Sequence, residues 1–335
     1  KAYILLLDPK HLVYINLLPN YAKPRQMGTT GNRVEAYKKY LDKFIEVIHP
    51  QLLCFDHYIF SVSGDTDAYF LNMSQMRAAA LKNNIPFMAI LQASTWVKNY
   101  KIPTCEQLRW QAYTSLAYGS QGISWYIYSY PGHDGGFAYS AGTYREKEIL
   151  RKHGAVVLPG KPTPLYYFVK DELHQEFINI AKELRPLKSI SVYHAGMIPE
   201  GAVRLPEKAP FALVPALKDK PCPGFVNGHY SDHNGRWPIN SYESPLEGFV
   251  VGYFGQNGKA THALIVNLDQ RTYGGAGQPR RLEFLMPPKR EIVGPAPLEV
   301  FDAQTGKWTS ADGNKYRLRL TPGAGVLVRI KSTGK

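Results

Sequence analysis

Hydrophobic and polar positions form a repeating block pattern along the first half of the chain. Four short runs are apolar almost throughout and predict buried strands at residues 11–18, 52–58, 87–92 and 122–128. Apolar residues in the intervening and following segments recur every three or four positions, which predicts helices at 32–49, about 67–83, 104–118 and 164–184. Apolar strands that are separated by helices are typical of a parallel sheet buried on both faces.

Residues that start and stop helices support these boundaries. Gly31 and Asn32 suit the start of the first helix, and Pro50 ends it. Thr104 and Gln107 have the spacing of a capping box at the start of the third helix. Two α/β architectures fit four such units, a doubly wound sheet and the second half of a (β/α)₈ TIM barrel. No glycine-rich phosphate loop follows any predicted strand, which disfavours nucleotide binding.

The pattern changes after about residue 197. Short apolar strands separated by Gly, Pro and Asn clusters are predicted at 248–254, 262–267, 281–285, 298–301, 316–320 and 326–330. This spacing predicts an antiparallel β-sandwich. We therefore expect two domains, 1–197 and 198–335, with an irregular linker at about 205–247.

Polar and aromatic residues follow the predicted strands, where the active sites of parallel β/α folds lie. Asp56 is the candidate catalytic residue, because a carboxylate that ends an apolar strand is costly to bury unless it is paired or used. A salt bridge or a loop cap is its structural alternative. The candidate substrate-binding residues are Asn16, Tyr21, His57, Tyr58, Gln92, Trp96, Trp125 and Tyr128. Core packing or backbone hydrogen bonding is the structural alternative for each of these.

Composition narrows the class of partner. The chain has 23 Tyr, 14 Phe and 5 Trp, which fits either a large core or a protein that stacks sugars on its rings. The net charge of +13 favours a polyanionic partner, for which an acidic or sulfated glycan is a better candidate than nucleic acid, and a merely basic surface is the alternative. No basic helix, zinc-finger spacing or RNA-binding strand motif is present, so we do not expect nucleic acid as the partner.

The remaining sequence features predict no cofactor. The 3 cysteines are far apart and lack the spacing of a metal site, so no metal is expected. No apolar stretch is long enough to span a bilayer. The chain begins with Lys rather than Met and has no signal peptide, which suggests a processed N-terminus.

Several segments resemble the clan A (β/α)₈ glycoside hydrolases, and most closely bacterial proteins related to the family 42 β-galactosidases. The segments are INLLPNYA, LLCFDHYIF, PFMAILQAS, LRWQAYTSLAYGSQGISWYIYSYP and GKPTPLYYFV, within about residues 11–197. The resemblance implies that the four strands are strands five to eight of a barrel. It also implies a secreted or periplasmic carbohydrate enzyme.

The resemblance departs from the family at both catalytic positions. The family's acid/base Glu would precede residue 1, and Gln92 or a neighbour stands where the nucleophilic Glu is expected. We therefore expect a glycoside hydrolase in which Asp56 works with a second carboxylate from an N-terminal companion polypeptide or a second copy of the chain. The alternative is a non-catalytic glycan-binding protein on a hydrolase-like scaffold. A charge-driven polyanion binder is a weaker third possibility.

Overall fold

The computed structural model describes residues 2–61, 68–94, 100–128, 136–138, 160–196, 198–206, 209, 212–214, 225–226, 229–230, 248–268, 290–293, 298–310, 315–318, 320–321 and 323–330. A four-stranded parallel sheet contains β1 (Asn16–Leu17), β2 (Leu53–Asp56), β3 (Phe87–Gln92) and β4 (Gly122–Tyr126). This sheet confirms the predicted parallel arrangement. Only two of the eight predicted residues of the first strand pair with β2.

The four predicted helices lie close to their expected positions, the fourth of them divided in two, and a further helix at the start of the chain was not predicted. The helices are α1 (Ala2–Leu7), α2 (Arg33–Ile48), α3 (Tyr69–Asn83), α4 (Cys105–Ala117), α5 (Pro164–Phe168) and α6 (His174–Leu184). A π-helical turn over Val169–Leu173 joins α5 to α6. Asn32 caps α2 by accepting a hydrogen bond from the backbone N–H of Glu35, and Thr104 forms the expected capping box with Gln107. No helix among the described residues is long and apolar enough to cross a membrane.

The strand order of the parallel sheet is sequential, β1-β2-β3-β4. A doubly wound sheet reverses direction at a switch point, and the described strands show no such reversal. Leu17, Phe55 and Ala89 occupy aligned positions and belong to the core that includes the helices. The described helices therefore cover the face of the sheet that these residues define.

The opposite face of the parallel sheet is less completely buried than expected, since Cys54 and Gln92 are fully buried there but several of its other residues are not. Its aligned residues include Met88, Ile90 and Ser124, all of intermediate exposure. Asp56 pairs in register with Ile90 and therefore lies on this half-open face. Apolar strands predict burial on both faces. The hydrophobicity of a side chain does not, however, show how completely neighbouring residues cover it.

A separate six-stranded antiparallel sheet has the order β13-β12-β15-β10-β9-β5. Its strands are β5 (Lys188–Gly196), β9 (Gly248–Gln256), β10 (Lys259–Asn267), β12 (Leu298–Asp302), β13 (Lys307–Ser310) and β15 (Gly325–Ile330). A three-stranded sheet contains β6 (Ala212–Val214), β11 (Arg290–Val293) and β14 (Lys315–Leu318), and β7 (Phe225–Val226) pairs with β8 (His229–Tyr230). The strand predicted at 281–285 lies outside the described residues.

The antiparallel sheet begins earlier in the chain than expected. β5 pairs with β9 from Lys188 onward, before the predicted domain boundary at residue 197. The division into two domains stays a prediction. The structure does show that the last strand before this boundary belongs to the antiparallel sheet.

Helix α4 packs between the parallel and the antiparallel sheet. Residues on all its sides are buried, and the Trp110 indole N–H donates to the carbonyl of Leu268, 3.2 Å away. Close approach requires glycine: a Cβ on Gly252 of β9 would lie 2.1 Å from the carbonyl oxygen of Ala117. A Cβ on Gly325 of β15 would lie 2.2 Å from the ring of Tyr113. The core therefore runs continuously from one sheet to the other through α4.

Candidate functional site

Asp56 ends β2 at the carboxyl edge of the parallel sheet. Its side chain is half-buried and accepts hydrogen bonds from the Asn16 amide and the Tyr58 hydroxyl. Burial raises the pKa of the Asp56 carboxyl, and the hydrogen bonds from Asn16, from Tyr58 and from the backbone of Asp56 itself only partly oppose that rise. Asp56 is therefore able to hold a proton at a higher pH than an exposed aspartate.

Two tyrosines, Tyr21 and Tyr58, lie close enough to Asp56 for its charge to raise their pKa, and Tyr100 and Tyr126 pack against Tyr58; we call these four residues the tyrosine cluster. The ring of Tyr58 lies 6.1 Å from that of Tyr100 and 5.6 Å from that of Tyr126. Tyr21 forms hydrogen bonds with the Tyr100 side chain and with the backbone of Tyr58. Burial and the charge of Asp56 both raise the pKa of Tyr58, so its hydroxyl stays protonated.

This arrangement combines the groups that bind sugars. Ring faces pack on apolar C–H surfaces, and phenol, amide and carboxyl groups exchange hydrogen bonds with hydroxyls. Tyr21 is 38% exposed and Asn16 is also exposed, so part of the site is open to a ligand. The structure thus brings together three predicted binding residues, Asn16, Tyr21 and Tyr58, with the predicted catalytic residue Asp56.

Gln92 does not support the predicted role in substrate binding. Its side chain is 0% exposed. Its amide oxygen accepts from the backbone N–H of Phe60 at 2.9 Å, and its amide nitrogen donates to the carbonyls of Phe60 at 3.1 Å and Lys101 at 3.0 Å. Gln92 therefore holds two backbone segments in place, and its polar atoms are already in use.

His57 is likewise enclosed. It is 3% exposed, and its Nδ1 lies 2.9 Å from the Asn72 side-chain oxygen. Its ring contacts Tyr69 of α3 and the edge of Tyr21. His57 therefore packs behind Tyr21, and its contact with a substrate stays a prediction.

The remaining predicted residues lie apart from Asp56. Trp125 pairs in register with Leu91, on the helix-covered face of the sheet, and its indole N–H donates to Nε2 of His174 at 3.1 Å. Because Asp56 lies on the opposite face, Trp125 does not form a shared platform with it. Tyr128 is 52% exposed and packs against Tyr166. Trp96 lies outside the described residues.

Two members of the tyrosine cluster were not among the predicted site residues. Tyr126 follows Trp125 directly, and its position on the same face as Asp56 required the strand register. Tyr100 reaches the site because it bridges back to Ser61, the segment that follows β2. No local pattern around Tyr100 signals that return. The peptide bond between Tyr126 and Ile127 is cis.

Among the described residues, neither a reactive cysteine nor a group of metal ligands occurs at this site. Burial and the nearby Asp56 charge raise the pKa of the Cys54 thiol to about 12, so the thiol stays protonated. Cys105 is a free thiol elsewhere, and Cys222 lies outside the described residues. Within the described part of the chain, no three His, Cys, Asp or Glu residues are grouped as metal ligands.

Comparison of the sequence with protein-family models and with curated proteins gives no match. The family of the chain is therefore not assigned by similarity, and its function has to be inferred from the geometry around Asp56.

Proposed function

We propose that this chain is a carbohydrate-active protein of the glycoside-hydrolase type, with its sugar bound over Asp56 and the tyrosine cluster. The observation that supports this most directly is the half-buried Asp56 carboxyl, which has a raised pKa and is held by Asn16 and Tyr58. A carboxyl group of this kind suits proton donation to a glycosidic oxygen. The net charge of +13 favours an acidic or sulfated glycan, and a secreted or periplasmic location fits such a substrate.

Hydrolysis needs a second carboxylate roughly 5–10 Å from the first. Among the described residues, no acidic group influences the pKa of Asp56. Acidic residues do occur in segments that follow β2 and β4 in the sequence, namely Asp65, Asp67 and Asp134, outside the described residues. We propose that the partner carboxylate comes from these segments or from a companion polypeptide.

A companion is suggested by the half-open face of the parallel sheet. Met88, Ile90 and Ser124 are half-exposed there, whereas in a closed barrel this face is filled by side chains from all the strands. We propose that the sheet is the second half of a (β/α)₈ barrel and that the six-stranded sheet belongs to a β-sandwich. A companion polypeptide or a second copy of the chain would complete the barrel. Sedimentation of the chain, together with any companion that copurifies, should then show an assembly, and a folded monomer at about 100 μM that copurifies with no companion would contradict this.

Activity on a panel of aryl glycosides tests the hydrolase function. The wild-type chain, with its companion if one copurifies, should release aryl alcohol, and Asp56→Asn should reduce the rate at least about a hundredfold. Asp171→Asn is the matched control, because Asp171 lies in the π-helical turn, exposed to solvent. Equal activity of wild type and Asp56→Asn would remove Asp56 from the mechanism. Asn substitutions of Asp65, Asp67 and Asp134 identify or exclude each as the partner.

A non-catalytic glycan-binding protein is the second candidate. It is favoured by Gln92, which stands where the resemblance expects a nucleophile and whose amide is occupied by the backbone. The same panel distinguishes the two functions. Binding of oligosaccharides without any hydrolysis, weakened by Tyr58→Phe, would support the binding protein.

A further inference from the structure

A cavity of about 770 Å³ lies at the amino edge of the parallel sheet, the edge opposite to Asp56. The C-terminal ends of α3, α4 and α6 form its walls, together with the start of β5 and Phe254 of β9. Cavities of this size accommodate small organic ligands. The proposed glycan site makes no use of it.

The charges that line this cavity are all positive. Arg77, Arg185 and Lys188 line it, and none of the described lining residues is Asp or Glu. Arg185 and Lys188 are exposed, whereas Arg77 is half-buried. The cavity therefore has one partly desolvated guanidinium and two solvated cations.

Arg77 has neutral hydrogen-bond partners. Its Nε and Nη2 donate to the Ser189 hydroxyl at 3.3 and 3.2 Å, and Nη2 also points to the Ser189 carbonyl at 3.5 Å. No carboxylate within the described residues forms an ion pair with it, and burial lowers the pKa of Arg77. A buried cation without a counter-ion is unfavourable, and an anion in the cavity would relieve that penalty.

The C-terminal ends of the three helices offset part of this positive charge. Each helix C-terminus carries roughly half a negative charge, so three helices contribute about −1.5. Three formal positive charges exceed that sum. The C-terminal carbonyls are also partly satisfied by the chain, since the N–H groups of Asn84, Gly119 and Arg185 bond to carbonyls of their own helices. The cavity keeps a net positive character.

We propose that this cavity binds a small organic oxyanion, whose carboxylate or phosphate contacts Arg77 and whose apolar body packs on Leu116, Leu184 and Phe254. The planar guanidinium matches either oxyanion. The three apolar side chains are each less than a tenth exposed and form a wall beside the guanidinium. This is a second binding site, independent of the glycan site.

Calorimetric titration with phenyl phosphate, benzoate, inorganic phosphate and phenol tests the proposal on the wild-type chain. Phenyl phosphate or benzoate should bind about tenfold or more tightly than inorganic phosphate and than phenol, because only the organic anions use both parts of the cavity. Whichever of phenyl phosphate and benzoate binds more tightly shows whether the cavity prefers a phosphate or a carboxylate. Failure of both organic anions to bind at about 10 mM would overturn the proposal. Binding of phenol as tight as that of the organic anions would also overturn it.

Three variants test whether the organic anion binds in this cavity. Arg77→Gln keeps a donor for Ser189 but removes the charge, and should weaken binding of the organic anion about ten- to a hundredfold. Arg25→Gln removes the same charge from an exposed site outside the cavity and should leave binding unchanged. Equal effects of the two variants would overturn the proposal. Ala181→Trp adds bulk to the lining of the cavity without changing charge and should abolish binding. Should Arg77→Gln not fold, retained binding by Ala181→Trp would overturn the proposal.

Discussion

At the scale of single residues, Asp56 and His194 have opposite effects on how the stability of the chain depends on pH. Burial raises the pKa of Asp56, so its charged form destabilises the folded chain as pH rises. Burial lowers the pKa of His194 to about 3, so its neutral form is the one that the fold accepts. His194 is 0% exposed and its Nε2 lies 2.8 Å from the Tyr118 hydroxyl.

His194 predicts a loss of stability in acid. The unfolded chain binds its proton near pH 6.5, whereas the folded chain does so only near pH 3. Stability is therefore present above about pH 6.5 and falls below it, by up to about 1.4 kcal/mol per pH unit from this residue. Urea unfolding of wild type and His194→Gln at pH 7 and pH 5 measures this. The variant should lose less stability on acidification, and equal losses would contradict the prediction.

Substitution of Gln92 is expected to lower the stability of the fold rather than to act on ligand binding directly. Gln92→Leu leaves buried backbone groups of Phe60 and Lys101 without their partner and should destabilise the chain by about 2–4 kcal/mol. The exposed Gln51→Leu is the control and should change stability by less than about 0.5 kcal/mol. The midpoints of denaturant unfolding of Gln92→Leu and Gln51→Leu, each compared with wild type, measure this difference in stability. A stable Gln92→Leu chain that fails to bind sugar would instead return Gln92 to the glycan site.

At the scale of secondary-structure elements, the start of α4 depends on one side chain. Thr104→Ala removes the hydrogen bond to the backbone N–H of Gln107 and should destabilise the chain by about 1 kcal/mol. Thr104→Ser keeps the hydroxyl and should lie close to wild type. Thermal melts of both variants distinguish the cap from other effects of position 104.

Local signals account for what the sequence predicted well. Asn32 and Thr104 start their helices through side-chain caps that involve residues three positions away, and β3 has the predicted bounds at residues 87–92. β1 was overestimated because the length of a strand depends on its partner, and only Asn16–Leu17 meets β2. Such pairing has no local signal.

The candidate site was predicted only in part, for a related reason. Strands that are apolar on both sides lack the alternation that shows which side chains share a face. The sequence could therefore not show that Asp56 and Trp125 lie on opposite faces. Nor could it show that Gln92 turns its amide to the backbone or that Tyr100 returns to Tyr58.

At the scale of the whole molecule, contact between the antiparallel sheet and α4 depends on glycine. Gly252→Ala would place a methyl group 2.1 Å from the Ala117 carbonyl oxygen, so the sheet would have to move away from the helix. We expect a loss of about 2 kcal/mol or more in urea unfolding. Gly122→Ala is the matched strand control, because the nearest atom to its Cβ would be a flexible Met88 side-chain atom at 3.4 Å. Similar stability of the two variants would argue against this tight packing.

Since α4 packs against both sheets, the parallel sheet shares a core with one face of the antiparallel sheet, whereas the other face of the antiparallel sheet packs in a separate cluster that includes Val251, Ile265 and Val328. Cleaving the chain near residue 197 would expose Trp110 and Tyr113 on one fragment and Leu264 and Leu327 on the other. We therefore expect calorimetry to record one cooperative melting transition for both sheets, and expect separately expressed halves to be insoluble. A shortened chain that keeps the proposed glycan site would have to retain the antiparallel sheet as an internal support for the parallel one.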